Sequence, residues 1–252
     1  MKIDFPGETS VPGLRLLWQQ AFSDDDAFLD KFFATGFSPD RCRCIAEDGQ
    51  ILAALYWFDM TCRGRKMAYL YAVATEKSRR HEGLCRALMA DTHALLAGQG
   101  YAGTLLVPED EALAAMYEKM GYRFTCSISQ FVSTMGPYQV PGHRIDKREF
   151  QTRREALLPP GGVRLGEAAL DFLDSQAFFY AGADFLLTAV KGTDGLRCLE
   201  LLGNVELAPD ILNTLGLTHG AFRTPGHNRP FAMYRPLDPD AQAPAYFGLA
   251  FD

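Results

Sequence analysis

Apolar residues recur at helical spacing over residues 12–36. Leu14, Leu17, Trp18 and Phe22 form one stripe, and after Asp24–Asp26 a second follows with Phe28, Leu29, Phe32 and Phe33. Acids at that point suit a helix N-terminus. The period then changes to two. Arg41–Ala46 alternates, Glu47-Asp48-Gly49-Gln50 supplies turn residues, and Ile51–Met60 continues as a strand, which predicts a hairpin. Arg63-Gly64-Arg65 turns the chain into Met67–Ala74, MAYLYAVA, apolar on both faces as in a buried central strand. A polar loop, Thr75–Glu82, follows. The spacing then predicts a helix from about Gly83 to Leu96, with Leu84, Ala87, Leu88, Ala94 and Leu95 on one face and Asp91 interrupting it. Gly98 and Gly100 end it. Gly103–Val107 reads as a short strand. Glu111–Met120 reads as a helix, with Leu113, Met116, Tyr117 and Met120 on one stripe and Gly121 as its stop; Arg123–Ser133 reads as a strand.

Residues 136–146, GPYQVPGHRID, carry two Pro and two Gly and predict a linker between a first domain at 1–135 and a second at 147–252. Beyond it the pattern partly repeats. Helices are expected at Lys147–Leu158, Glu167–Leu173 and Pro209–Leu215, with Gly216 as a stop. Strands are expected at Ala183–Val190, Leu196–Leu202, Ala221–Thr224, Phe231–Arg235 and Ala245–Phe251. The alternation of strands and helices makes this an α/β chain, and the second half reads as a worn copy of the first. The Pro-rich 224–244 region reads as turns between strands that complete the first domain's sheet or shape a substrate pocket.

Composition narrows the partners. The 252 residues are 48% hydrophobic and 22% charged, as in an ordinary globular protein, and the formal net charge of −6 disfavours nucleic acid and anionic membranes. The N-terminus, MKIDFPGETS, has no apolar signal core, and no stretch approaches about 18 apolar residues, so a cytoplasmic protein is expected. Cys42, Cys44, Cys62, Cys85, Cys126 and Cys198 are scattered without zinc or disulfide spacing, which predicts reduced thiols and no metal.

The chemistry concentrates in Val73–Leu88, VATEKSRRHEGLCRAL. A buried strand ends, a loop with Lys77, Arg79, Arg80 and His81 turns, and a helix starts at Gly83. Unpaired N–H groups at that helix start, with a glycine beside them, make a pyrophosphate cradle in an otherwise acidic chain. Neither G-x-x-x-x-G-K-[ST] nor G-x-G-x-x-G is present. What is present is R-x-x-G-x-(small), as Arg80, Gly83 and Cys85, followed by Leu105-Leu106-Val107-Pro108 and by Tyr117-x-x-x-Gly121-Tyr122. In this order the elements over about residues 1–135 resemble the GNAT superfamily of acetyl-CoA-dependent N-acetyltransferases. Two positions depart from that pattern: Cys85 stands where Gly or Ala is usual, and His81 where Gly is common.

The resemblance implies an α/β fold with a mixed, mostly antiparallel sheet flanked by helices, and a degenerate second domain of the same kind. It implies acetyl-CoA as cosubstrate, with Arg80, His81, Glu82, Gly83, Leu84 and Cys85 at the pyrophosphate and Val73 and Thr75 at the pantetheine arm. It also places Tyr117 at the sulfur, where a phenol, pKa about 10, would donate to a leaving thiolate, pKa about 8.5. The alternative reading from the residues is a core tyrosine on the apolar stripe whose hydroxyl is bonded internally. The general base is not identified; Asp59, Glu47 and Asp252 are the carboxylates considered. Cys85 has no His and acid placed to activate it as a nucleophile. LGNVELAPDI, residues 202–211, has two acids and no base, so no second cofactor site is expected. His219, His227 and Arg223 lack metal spacing and are expected to bond locally. The acceptor is expected to be a small-molecule amine or a protein lysine, a homodimer is left open, and the alternative is a non-catalytic acyl-CoA-binding scaffold.

Overall fold

The computed structural model describes residues 2–193 and 195–251. Its first elements are β1 (Lys2–Asp4), α1 (Val11–Ala21), α2 (Asp26–Lys31), β2 (Cys42–Glu47), β3 (Gln50–Cys62), β4 (Arg65–Thr75), α3 (Leu84–Gly98), β5 (Gly103–Leu106) and α4 (Glu111–Glu118). Then follow β6 (Arg123–Thr134), β7 (His143–Ile145), α5 (Lys147–Leu157), β8 (Arg164–Leu165), α6 (Glu167–Gln176) and β9 (Phe178–Ala181). The chain ends through β10 (Phe185–Gly192), β11 (Gly195–Gly203), α7 (Ala208–Leu215), β12 (His219–Pro225) and β13 (Arg229–Pro236). The fold is α/β with mostly antiparallel strands and flanking helices. Among the described residues no helix is long and apolar enough to cross a membrane.

The chain forms two compact units, but not at 1–135 and 147–252. The first gathers the chain up to Arg123 with Leu165–Phe172 and Tyr234–Gln242; the second holds Phe124–Arg164, Leu173–Met233 and the chain from Ala243. Burial explains the exchange. Phe172 is fully buried among first-unit rings, 5.4 Å from Phe32 and 5.8 Å from Phe58 between centroids. Tyr234 lies against Gly103, where any Cβ would meet its ring, and donates to the Ala102 carbonyl at 3.2 Å. The expected completion of the first sheet from the 224–244 region is thus present in its last part. The 136–146 segment is no free linker: Gly136 N–H donates to the Pro209 carbonyl, Val140 N–H to Thr214, and His143–Ile145 pairs with β9.

In the first unit β1, β2, β3 and β4 run antiparallel in sequence order, β5 lies parallel to β4, and the end of β13 flanks β5. Asp25 caps α2 by accepting from Phe28 N–H at 2.8 Å, which satisfies one of the helix's unpaired donors. One face of the sheet is covered by rings: Trp18 from α1 lies 4.6 Å from Phe32, 5.3 Å from Tyr56 and 5.6 Å from Tyr71. The buried stripe of α3 differs from the expected one. It is Leu84, Leu88, Met89, Thr92, His93 and Leu96, while Ala87 and Ala94 are exposed. The difference comes from polar residues with partners. His93 and Thr92 are buried because they are bonded, and Asp91 is held at 2.6 Å by Arg43 from β2.

In the second unit β6, β12, β11, β10, β9 and β7 are successive neighbours, and only β11 and β12 run parallel. Phe185, Leu187, Leu201, Ile211, Leu212 and Phe222 fill its core. A buried ion pair crosses it: Arg154 Nε donates to Glu200 Oε2 at 2.7 Å and Nη2 to Oε1 at 3.0 Å, while Tyr246 Oη donates to Oε1 at 3.0 Å. Ala245–Phe251 is not the expected strand. Its apolar run is buried coil, with Tyr246, Phe247, Leu249 and Ala250 enclosed and only a bridge from Gly162 to Tyr246. A segment buried on all sides carries no alternation that separates strand from coil.

Candidate active site

The site begins where β4 and β5 part. Their register runs Met67↔Gly103, Ala68↔Thr104 and Tyr69↔Leu105, and β4 then continues to Thr75 paired with β3 only. A bulge marks the departure. The β3 register slips between Ala54 and Tyr56, so Ala72 and Val73 face Leu55, and Ala72 takes φ +48°. A non-glycine residue in that region costs about 1–3 kcal/mol, and bulges of this kind re-aim the backbone. Val73 and Thr75, both half-buried, line the open edge beyond the last shared rung.

The loop after β4 is held by its own carboxylates. Glu76 accepts from the N–H groups of Ser78 and Arg79 at 2.9 and 3.1 Å. Arg79 forks onto Glu82, with Nε 3.0 and 2.9 Å from its two oxygens, and reaches Glu47 at 2.9 Å. Glu47 is therefore committed to the loop, and the Arg79 guanidinium holds its carboxyl below the usual range, which removes it as a general base. Arg80 makes no ion pair among the described residues; its Nε donates to the Thr75 carbonyl at 3.4 Å. His81 stands at φ +69°, which explains why glycine suits that position. Gly83 is the N-cap of α3 at φ +82°, and no protein atom lies within 4 Å of where a Cβ would sit.

The first intrahelical bond of α3 runs from Ala87 N–H to the Gly83 carbonyl. The N–H groups of Leu84, Cys85 and Arg86 therefore precede the first donor that has a partner, beside an unpaired arginine and an open glycine. These features fit a pyrophosphate. Cys85 is half-buried, and burial pushes its thiol up to about 11, so it stays protonated at neutral pH and is no nucleophile.

Tyr117 comes from α4, which Asp110 caps by accepting from Leu113 N–H at 2.7 Å. It is 7% exposed, and its hydroxyl makes no hydrogen bond among the described residues. Burial first, then the Cys85 thiol, hold its phenol above the ordinary tyrosine range. It therefore keeps its proton and is a donor, next to the first turn of α3. The bonded tyrosine is its neighbour. Tyr122 is fully buried, with its hydroxyl 2.8 Å from both His93 Nε2 and Thr104 Oγ1. This network was absent from the sequence reading; the signal available was a His and a Thr at core spacing on α3 and β5.

Among the carboxylates considered as a base, Asp59 accepts from the Tyr101 hydroxyl and lies 4.0 Å from Lys66, toward the start of β4 and away from the loop. Asp252 lies outside the described residues. His219 bonds its neighbour Thr218 at 3.0 Å, as expected.

Residues 3–125 match the family described as the acetyltransferase (GNAT) domain. No curated protein matches the sequence. Among solved structures the chain is similar to a GCN5-related N-acetyltransferase from Anabaena variabilis, at TM-score 0.72 and 16% identity over 94% of this chain and 73% of that one. It is similar to another from Kribbella flavida, at TM-score 0.71 and 18% identity over 94% and 71%. It is also similar to Eis1 from Mycobacterium abscessus, at TM-score 0.69 and 12% identity over 94% and 74%. At these identities the likeness is one of fold.

Proposed function

We propose that this chain, a member of the GNAT superfamily through its acetyltransferase domain at residues 3–125, transfers an acetyl group from acetyl-CoA to a primary amine by direct attack in a ternary complex. The observation that carries the reading is Tyr117: a buried ring whose hydroxyl is protonated, unbonded among the described residues, and set beside the helix start that offers free N–H groups.

The residues divide the work. Arg80 and the backbone from His81 to Cys85, Glu82 included, hold the pyrophosphate while the Glu82 carboxylate stays on Arg79; Gly83 keeps the approach clear. Val73 and Thr75 on the open edge of β4 meet the pantetheine amides. The amine nitrogen bonds to the acetyl carbon and the carbon–sulfur bond breaks. Its electron pair stays on sulfur, which takes the Tyr117 proton. The proton lost by the amine restores the phenol through solvent. A donor placed where charge develops stabilises the transition state more than the ground state.

In the second unit β11 and β12 share only two parallel rungs, Leu196↔Gly220 and Arg197↔Ala221, joined through α7, which supports reading this unit as a worn copy. Its loop has Glu206, Asp210 and Pro209, and the N-cap of α7 is Leu207 at φ −77° where α3 has a left-handed glycine, which supports one cofactor per chain. The acceptor is a small-molecule amine or a protein lysine.

The test is Tyr117→Phe, which removes one oxygen. Turnover should fall at least about tenfold, since a lost general acid typically costs about 100- to 10,000-fold, while acetyl-CoA affinity and melting temperature hold. Thiol release across a panel of primary amines supplies the assay. Near-normal turnover in the variant would remove Tyr117 from the chemistry. No amine-dependent release by the wild type would favour an acyl-CoA-binding scaffold.

A further inference from the structure

The buried polar groups nearest Tyr117 form a chain with one direction. Arg235 Nη1 meets His93 Nδ1, and a guanidinium has no acceptor, so Nδ1 accepts. His93 is then neutral with its hydrogen on Nε2, which donates to Tyr122 Oη at 2.8 Å. Tyr122 passes its own hydrogen to Thr104 Oγ1 at 2.8 Å. Thr104 sits on the rung just before the last one that β4 and β5 share. Tyr122 and Thr104 are fully buried, whereas His93, 5% exposed, and Arg235 both border a cleft of about 510 Å³ along α3. The Tyr122 ring meets the Tyr117 ring edge-on, with centroids 5.8 Å apart at 65°.

Among the described residues Tyr117 has no hydrogen bond of its own to hold its ring. A ring free to rotate about two side-chain torsions loses rate through misplacement of its oxygen. We propose that His93 is a positioning residue for Tyr117: the Arg235–His93–Tyr122–Thr104 chain clamps the Tyr122 ring, and the edge of that ring fixes the orientation of the Tyr117 phenol. The clamp also spends the Tyr122 hydroxyl, so it does not compete with Tyr117 for the sulfur. A buried imidazole is costly unless both nitrogens are bonded, and here both are. An apolar residue would fill the space without setting a direction. The inference rests on the reading of Tyr117 as the proton donor.

The probe is acetyl-CoA alone, with water as acceptor, because departure of the CoA thiolate is common to hydrolysis and amine transfer. Steady-state thiol release is measured for wild type, His93→Leu, His93→Gln and Tyr122→Phe, each with Tyr117 intact and with Tyr117→Phe. His93→Leu and Tyr122→Phe should slow kcat about tenfold with KM for acetyl-CoA unmoved. His93→Gln should recover most of that rate, because its carbonyl accepts from Arg235 while its amide donates to Tyr122. With Tyr117→Phe in place, none of the three should slow release further. Equal slowing in both backgrounds, or slowing that tracks KM or melting temperature, would overturn the proposal. If His93→Leu does not fold, Tyr122→Phe, which loses one oxygen, carries the same comparison. Wild-type release by Tyr117→Phe alone removes Tyr117 from the chemistry and this inference with it, whereas the acetyltransferase reading itself fails only if the amine panel gives no amine-dependent release.

Discussion

Gly83→Val separates two demands on one residue. In the free protein Gly83 sits at φ +82° with no atom within 4 Å of a Cβ, so the variant meets a conformational cost and no clash. Gly64, in the β3–β4 turn, sits at φ +73° with the same open surroundings, at the other end of β4 from the loop. Both Gly83→Val and Gly64→Val should therefore lose about 1–3 kcal/mol of stability. At about 2–4 °C per kcal/mol for a chain of this size, both should melt several degrees lower. Only Gly83→Val should lose acetyl-CoA. A branched side chain there displaces the pyrophosphate from the free N–H groups of α3, and hydrogen bonds to charged groups are worth about 1.5–3 kcal/mol each. Two such bonds correspond to roughly a hundredfold or more in Kd. Scanning calorimetry and isothermal titration on the three proteins give both numbers. Binding by Gly83→Val within threefold of wild type, or an equal loss in Gly64→Val, would refute the cradle.

Three further outcomes are expected. Burial first and Arg235 second lower the His93 imidazole to about 3, so the unfolded chain takes up its proton more readily between roughly pH 3 and 6.5; stability is full above that window and should fall by about 2 kcal/mol from pH 7 to pH 5. His93→Gln should lose that part of the pH dependence in urea unfolding, and an unchanged difference would exclude His93 as its source. Glu200→Ala strands Arg154 in the second unit's core and should cost about 3–5 kcal/mol, read as a fall of roughly 10 °C in melting temperature; a shift under 2 °C would show that the pair is dispensable. Equilibrium dialysis should give one CoA per chain, and two equivalent sites would restore a cofactor role to the second unit.

Local period sufficed for most elements. The β2–β3 hairpin was legible because Asp48-Gly49 and the alternation around it are short-range signals, and α4 because its stripe, acidic start and Gly121 agree. The turn and helix start at the proposed cradle were legible for the same reason: they occupy six consecutive residues. What failed was long-range. Leu165–Phe172 and Tyr234–Gln242 join the first unit through contacts that no local window contains. The stripe of α3 was misassigned because His93 and Thr92 count as polar in any periodicity, although Arg235 and Tyr122 satisfy His93 and the Leu88 carbonyl satisfies Thr92, which makes both interior residues. Asp59 was considered as a base because nothing in its neighbourhood reveals Tyr101, 42 positions later.

The return of Tyr234–Gln242 to the first unit bears on how the protein is made. A ribosome delivers the cradle and Tyr117 long before it delivers Arg235, the group that orients His93. The strand segment that flanks β5 arrives about 130 residues after its neighbour, and contacts of such separation close slowly. The nascent first unit therefore waits, with the far edge of β5 uncovered, while almost the whole second unit is synthesised. An exposed strand edge during that interval invites pairing with other chains. A transcript cut after the family-like portion would leave that edge uncovered permanently, so the two halves are separable in sequence comparison but not in biosynthesis.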